Sequence, residues 1–209
     1  MSLKKKVVLA TGNAGKVAEM QVQLEEFSYQ IIPQSHYGFE EAIEDGLTFV
    51  ENALIKARHA CKHSGLPSIT DDSGLEVDAL TGAPGIYSSR FASDINSDLT
   101  KDQANNQKLL SELRNNEKRS ARFQCVIVYM EHEFDPTPII CQGTWEGLIS
   151  KEPKGLNGFG YDPLFYLPSH QCHAAELDAS IKKTVSHRGQ ALAQLKKILT
   201  KSDNLKTIR

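Results

Sequence analysis

The sequence predicts an α/β protein, a mixed β-sheet flanked by helices, and three observations lead there. The chain opens strand, glycine loop, helix, strand, which is how α/β domains begin. Its two longest strand-like stretches fall in the middle, at residues 121–130 and 139–149. It closes on an amphipathic helix over residues 188–200. Long central strands after such an opening imply a mixed sheet with helices packed around it.

Lys6 to Ala10 reads as a buried strand, a short apolar run bounded by charge and then by glycine. Thr11-Gly12-Asn13-Ala14-Gly15-Lys16 reads as a tight loop, and Val17, Met20, Leu24 and Phe27 then recur at helical spacing. Tyr29 to Ile32 is a second strand stopped by Pro33, and residues 34–46 read as loop with acids towards its end. Thr48 is placed to cap a helix with Val50, Ala53, Leu54, Ala57 and Cys61 in one stripe, ended by Gly65 and Pro67. Ile69-Thr70 leads as a strand into Asp71-Asp72, where Ser73-Gly74 is expected to turn the chain sharply. Residues 81–85 form a turn, and Leu99 to Leu113 a helix with Leu109, Leu110 and Leu113 inward. The two central stretches, separated by residues 131–138, suggest a hairpin, and Lys151 to Pro163 a long glycine-containing loop. In the closing helix Ala191, Leu192, Leu195, Ile198 and Leu199 make the apolar face.

With 209 residues the chain has the length for a real core, and 40% hydrophobic with 24% charged residues is ordinary for a globular protein. A net charge of −2 supplies no field to attract nucleic acid or anionic lipid, so any phosphate must be held by a few placed groups. Cys61, Cys125, Cys141 and Cys172 fall at neither metal-ligand nor redox spacing, which suits a reducing cytoplasm. The apolar run after Lys4-Lys5-Lys6 is too short for a secretory signal, and no apolar segment has membrane length. The expectation is a cytoplasmic protein with neither a membrane nor a nucleic-acid partner.

Four groups of residues could carry chemistry. Small residues in Gly12 to Lys16 let backbone N–H groups approach an anion at a helix start, with Lys16 adding a full charge. The string lacks the glycine spacing and the hydroxyl residue of a P-loop, and it also reads as a plain βα turn. Glu44, Asp71 and Asp72 form an acid set suited to Mg²⁺, which takes one or two carboxylates plus substrate phosphates and water. Asp-Asp-Ser-Gly is equally what a turn favours, and Glu44 reads as well as a solvated loop acid. In Asn157-Gly158-Phe159-Gly160-Tyr161-Asp162-Pro163, glycines beside aromatics expose a ring for stacking on a base, or make a β-turn over two core aromatics. Lys182 and Ser186-His187-Arg188-Gly189 offer donors to carbonyl oxygens, or a polar helix start.

In this order the strings resemble the inosine triphosphate pyrophosphatase family. The matching pieces are Ala10 to Lys16, Thr48 to Ala53, Asp71 to Leu75, Gly82 to Ser88, Gly158 to Pro163 and Ser186 to Gly189, spanning nearly the whole chain. The resemblance implies a single catalytic domain over residues 1–209 with two lobes around a long mixed sheet and a cleft between them. It also implies a homodimer, Mg²⁺ dependence, and cleavage of non-standard purine nucleoside triphosphates (ITP, dITP, XTP) to monophosphate and pyrophosphate. Carried over by position, Thr11, Gly12, Asn13, Ala14, Gly15 and Lys16 would cradle phosphates, and Asp72 would accept a proton and bind metal with Glu44. Ser73 would contact substrate, Lys56 would face the phosphates, and Phe159, Gly160, Tyr161, Asp162, Lys182, His187 and Arg188 would surround the base.

Physical chemistry agrees with this assignment: charge on the triphosphate must be stabilised while water attacks in line. A donor such as Arg188 or Lys182 facing purine O6 would be left unpaired by adenine, which carries an amino group there. A nucleotide sensor without turnover and a related hydrolase with different base preference are the rival readings.

Overall fold

The computed structural model describes residues 4–24, 29–95 and 98–206, so Phe27, expected in the first helix, lies outside the described residues. In chain order the strands are β1 (Lys5–Ala10), β2 (Tyr29–Pro33), β3 (Ser68–Val77), β4 (Ser120–Met130), β5 (Ile139–Ile149), β6 (Phe165–Leu167) and β7 (Cys172–His173). The helices are α1 (Ala14–Leu24), α2 (Phe49–Ser64), α3 (Lys101–Glu112), α4 (Ala179–Val185) and α5 (His187–Lys206), with short 3-10 helices at Gln34–His36, Asp78–Leu80, Gly85–Arg90 and Ala174–Glu176. The strands form one seven-stranded sheet in the order β2-β1-β3-β4-β5-β6-β7. β1 runs parallel to both β2 and β3, whereas β6 is antiparallel to both β5 and β7, so the sheet is mixed as expected.

The chain divides into two compact units, the first made of Met1–Asp72, Cys125–Gly143 and His187–Arg209, the second of Ser73–Gln124 and Thr144–Ser186. In the first unit, period-2 alternation sorts the strands onto two cores. Val7 and Leu9 of β1, Ile69 of β3 and Cys125, Ile127 and Tyr129 of β4 pack with Met20 and Leu24 of α1 and Ala191, Leu192 and Leu195 of α5. Val126, Val128 and Met130 point the other way, onto Ala53, Ala57 and Cys61 of α2. Near-continuous apolar runs in β1 and β4 thus reflect burial on both faces.

α2 begins at Thr48, whose hydroxyl accepts the Glu51 N–H, and ends at Gly65 in left-handed conformation. Its sheet-facing side is small (Ala53, Ala57, Ala60), and Ser68 and Thr70 of β3 donate their hydroxyls to the Ala57 and Ala53 carbonyls, both at 3.0 Å. The helix therefore lies close on the strand with its register pinned. In the second unit, Leu75, Val77, Leu109, Leu113, Phe123, Trp145, Tyr161, Leu164 and Phe165 make one core. There Thr100 and Gln103 form a capping box at the start of α3.

Four local expectations are corrected. β3 runs through Ser73-Gly74 to Val77, so the acid pair sits mid-strand rather than before a turn. Turn-favouring residues are overridden there because Leu75 and Val77 continue the buried alternation, and the Leu75 N–H is taken by the Ser88 hydroxyl at 2.8 Å. The expected tight loop of residues 11–16 is shorter, since α1 begins at Ala14. Ile198 is 42% exposed, because a helix packed on one face covers a narrower stripe than the sequence offers, whereas Leu110 packs, partly buried, against the core as expected. Gln34–His36 forms a 3-10 turn inside the expected loop.

Candidate active site

The first unit brings Lys16, Glu44, Lys56, Asp71, Asp72 and Arg188 together. β3 explains how. Asp71 follows Ile69 onto the face covered by α1 and α5, and Asp72 follows Ser68 and Thr70 onto the face covered by α2. Two adjacent acids therefore enter two different environments.

Asp71 is fully buried. Lys16 Nζ meets its Oδ1 at 2.6 Å, and Arg188 Nε meets its Oδ2 at 2.8 Å. The Cys125 thiol donates to the same Oδ2 at 3.2 Å, and Arg188 Nη1 also pairs with Glu19. Burial alone would raise the Asp71 pKa, but Arg188 and then Lys16 outweigh it and hold the carboxyl well below its usual range. Burial and the neighbouring Asp71 charge push the Cys125 thiol up, so it stays protonated and able to donate. Arg188 reaches this position because α5 starts tight against β5: a Cβ on Gly143 would collide with the His187 carbonyl.

Asp72 accepts from Lys56 Nζ at 2.6 Å, and the same ammonium lies 3.1 Å from Glu44 and donates to the Asp71 carbonyl at 2.9 Å. Burial raises the Asp72 pKa, aided by the Glu44 charge and opposed by Lys56 and Lys16. For Lys56 burial works downward, yet Asp72 and Glu44 outweigh it, so its pKa also rises. Both directions mean that this cluster holds protons more tightly than its isolated groups would. Asp72 is thus the more basic acid of the pair.

At the start of α1, Asn13 caps the helix, its Oδ1 accepting the Lys16 N–H at 3.0 Å and its carbonyl the Val17 N–H at 2.9 Å. Thr11 is buried, and its hydroxyl oxygen accepts the Asn13 N–H at 3.3 Å. Ala14, Gly15 and Lys16 form the first turn, whose N–H groups carry the positive end of the helix. The carboxyl of the exposed Glu41 side chain lies against Gly12 and would have to swing aside for any Cβ there.

The second unit holds the other predicted group. Lys182 Nζ pairs with Asp162 at 2.6 Å and lies 5.5 Å from the Phe159 ring centroid. Asp162 also accepts the Phe159 N–H at 2.9 Å. Gly160 is staked to α3, its N–H donating to Asp102 at 2.7 Å and its carbonyl accepting from Asn106 at 2.9 Å. Tyr161 is core, 4% exposed, with its hydroxyl donating to the Ser88 carbonyl at 2.8 Å, so it presents no ring for stacking. Ser73 is half-buried on β3, one residue past Asp72.

Of the residues expected around a base, Arg188 is 2% exposed and committed to two carboxylates, and His187 is 5% exposed. The sequence reading missed Glu19, Cys125, Asp102 and Asn106. Glu19 stands three residues after Lys16, so helical spacing alone put it on the same side of α1.

An α/β sheet with a helix start, a buried lysine and paired acids defines a protein that handles multiply charged anions. The chain belongs to the Ham1 family, whose pattern it matches over residues 7–198. It is 55% identical over 192 residues to the dITP/XTP pyrophosphatase of Photobacterium profundum, covering 91% of this chain and 95% of that one. The dITP/XTP pyrophosphatase of Shigella flexneri is 56% identical over 192 residues, with the same coverage. The solved HAM1 protein of Coxiella burnetii superposes with a TM-score of 0.86 at 52% identity, over 94% of this chain and 99% of that one. The Staphylococcus aureus Ham1 protein gives 0.82 at 38% identity, over 95% of this chain and all of the other.

Proposed function

We propose that this protein hydrolyses non-standard purine nucleoside triphosphates, dITP, XTP and ITP, to the monophosphate and pyrophosphate. The observation that carries the reading is the asymmetry of the acid pair: Asp71 is locked by two cations, while Asp72, its side chain 9% exposed, has raised proton affinity. A general base must be available and well matched in pKa, and Asp72 is the one that fits. Lys16 and the first turn of α1 would hold phosphate oxygens, with Lys56 opposing further charge.

The donor set also suits Mg²⁺. Glu44 and Asp72 already converge on one positive charge, the Lys56 ammonium. The cluster has Lys16, Lys56 and Arg188 against Glu19, Glu44, Asp71 and Asp72, so an approaching triphosphate meets a net negative field. A divalent cation on Glu44 and Asp72 would reverse that sign and neutralise phosphate charge. Among the described residues no three His, Cys, Asp or Glu side chains form a metal cage, which fits an ion completed by substrate and water.

In the second unit Phe159 would stack on the base, and Lys182, oriented by Asp162, would donate to purine O6. Adenine would set an amino group against that ammonium, leaving both donors unpaired. We take the working form to be a cytoplasmic homodimer. Among the described residues no helix is long and apolar enough to cross a membrane.

The test is a nucleotide panel with Mg²⁺ and product identification. Pyrophosphate from dITP, XTP and ITP, with ATP spared, is expected; orthophosphate, or turnover that survives Asp72→Asn, overturns the reading.

A further inference from the structure

We infer that His59 is a positioning residue for the candidate site: through the Glu40 carbonyl it holds the segment that carries Glu44, and so sets how tightly Glu44 and Asp72 take a divalent cation. The inference rests on the reading of those two acids as metal ligands. Its starting point is a stripe on α2. Asn52, Lys56, His59 and His63 stand four, three and four residues apart, which puts them on one face of the helix. Residues 39–46 run back along that stripe in reverse order. Asn52 Oδ1 accepts the Gly46 N–H at 2.9 Å, Lys56 Nζ lies 3.1 Å from the Glu44 carboxylate, and His59 Nε2 meets the Glu40 carbonyl at 2.8 Å. The Phe39 ring closes the row, edge to face with His59 at 5.5 Å and stacked on His63 at 5.4 Å.

The two ends of this strap are fixed by different means. At the Gly46 end contact is intimate: Asn52 is fully buried, and a Cβ on Gly46 would lie 2.6 Å from the Glu51 Cβ. The next N–H, that of Leu47, donates to the Glu51 carboxylate at 2.9 Å. At the other end the hydrogen bond comes from His59, which is half-buried. A carbonyl oxygen has no proton to give, so Nε2 carries the ring hydrogen, and neutral and charged imidazole make this bond alike. Between the clamps Glu41, Ile43 and Asp45 are exposed, Ile43 at 82%, so packing adds little to hold the stretch down.

Glu44 lies inside that stretch, with its carboxylate and that of Asp72 on one ammonium, Lys56 Nζ, at 3.1 and 2.6 Å. Mg²⁺ demands oxygen ligands at about 2.0–2.1 Å in near-ideal geometry. A carboxylate on an untethered loop must be ordered as the ion binds, and that ordering is subtracted from affinity. Tethering at both ends removes most of the cost beforehand, and His59 is the tether on the less buried side.

Mn²⁺ titration followed by electron paramagnetic resonance, on the full chain without nucleotide, tests this, with Mn²⁺ as the probe ion. His59→Ala should weaken Mn²⁺ about tenfold, the upper worth of one hydrogen bond. His59→Gln keeps an N–H donor and should restore affinity to within about threefold, whereas His59→Phe keeps a ring against Phe39 and should not. In turnover of ITP, His59→Ala should raise the Mg²⁺ concentration for half-maximal rate and keep kcat at saturating Mg²⁺. Glu44→Gln tests the underlying reading and should weaken Mn²⁺ at least as much. If Glu44→Gln leaves Mn²⁺ binding unchanged, Glu44 is no ligand, and the positioning role falls with that reading. If Glu44→Gln weakens Mn²⁺ while His59→Ala lowers only the unfolding midpoint, the positioning role alone is overturned. A His59→Phe variant that binds Mn²⁺ as the wild type does overturns it too.

Discussion

The two faces of β3 make an instructive pair. On one, Asp71 is sealed among α1, α5 and β4 with two cations and a thiol, and its charge is fixed. On the other, Asp72 looks towards α2 and shares one lysine with Glu44. The same residue type, one position apart, is a locked anion on one side and a carboxyl of raised proton affinity on the other. What separates them is the ratio of cations to carboxylates on each face, which decides whether burial is overcome.

Asp72→Asn should have the largest effect, lowering kcat by about 10²–10⁴, the usual worth of a general base, with little change in the unfolding midpoint. Equal losses of rate and stability would erase the distinction between the faces. Arg188→Ala should do the reverse. It leaves a buried Asp71 short of one cation and should cost about 3–5 kcal/mol in urea unfolding. The sign of its pH dependence follows: the folded pKa of Asp71 is depressed, so its stabilisation is present above the unfolded carboxylate range and lost as pH falls through the folded value. The deficit of the variant should therefore be greatest at neutral pH and shrink in acid; a constant deficit would assign the loss to packing.

Lys56→Met sharpens the other face. Lys56 lowers the Asp72 pKa, so its removal should move the acid limb of kcat/KM against pH upward. An unmoved limb would mean that Asp72 is not the titrating base. Cys125→Ala should be mildest, costing about 1 kcal/mol for one weak hydrogen bond, with kcat unaffected.

Elements with local causes were readable in the sequence. Thr48 capping α2, the alternation in β4 and the stripe of α5 each rest on neighbours in the chain. The course of β3 was not, because Ser73-Gly74 carries a strong turn signal while the partners that keep it extended are distant in sequence. Within the candidate site, Lys16, Glu44 and Asp72 could be chosen by residue type and resemblance. That Arg188 answers Asp71 could not, since helical and strand periodicities say nothing about which helix covers which strand.

The tie between Asp71 and Arg188 spans 117 positions. On the ribosome, Asp71 emerges long before its guanidinium, so the nascent first unit holds an anion whose burial is still unfavourable. Assembly of that region must await α5, so the charged centre closes only once the segment that carries Arg188 has been made and can pack.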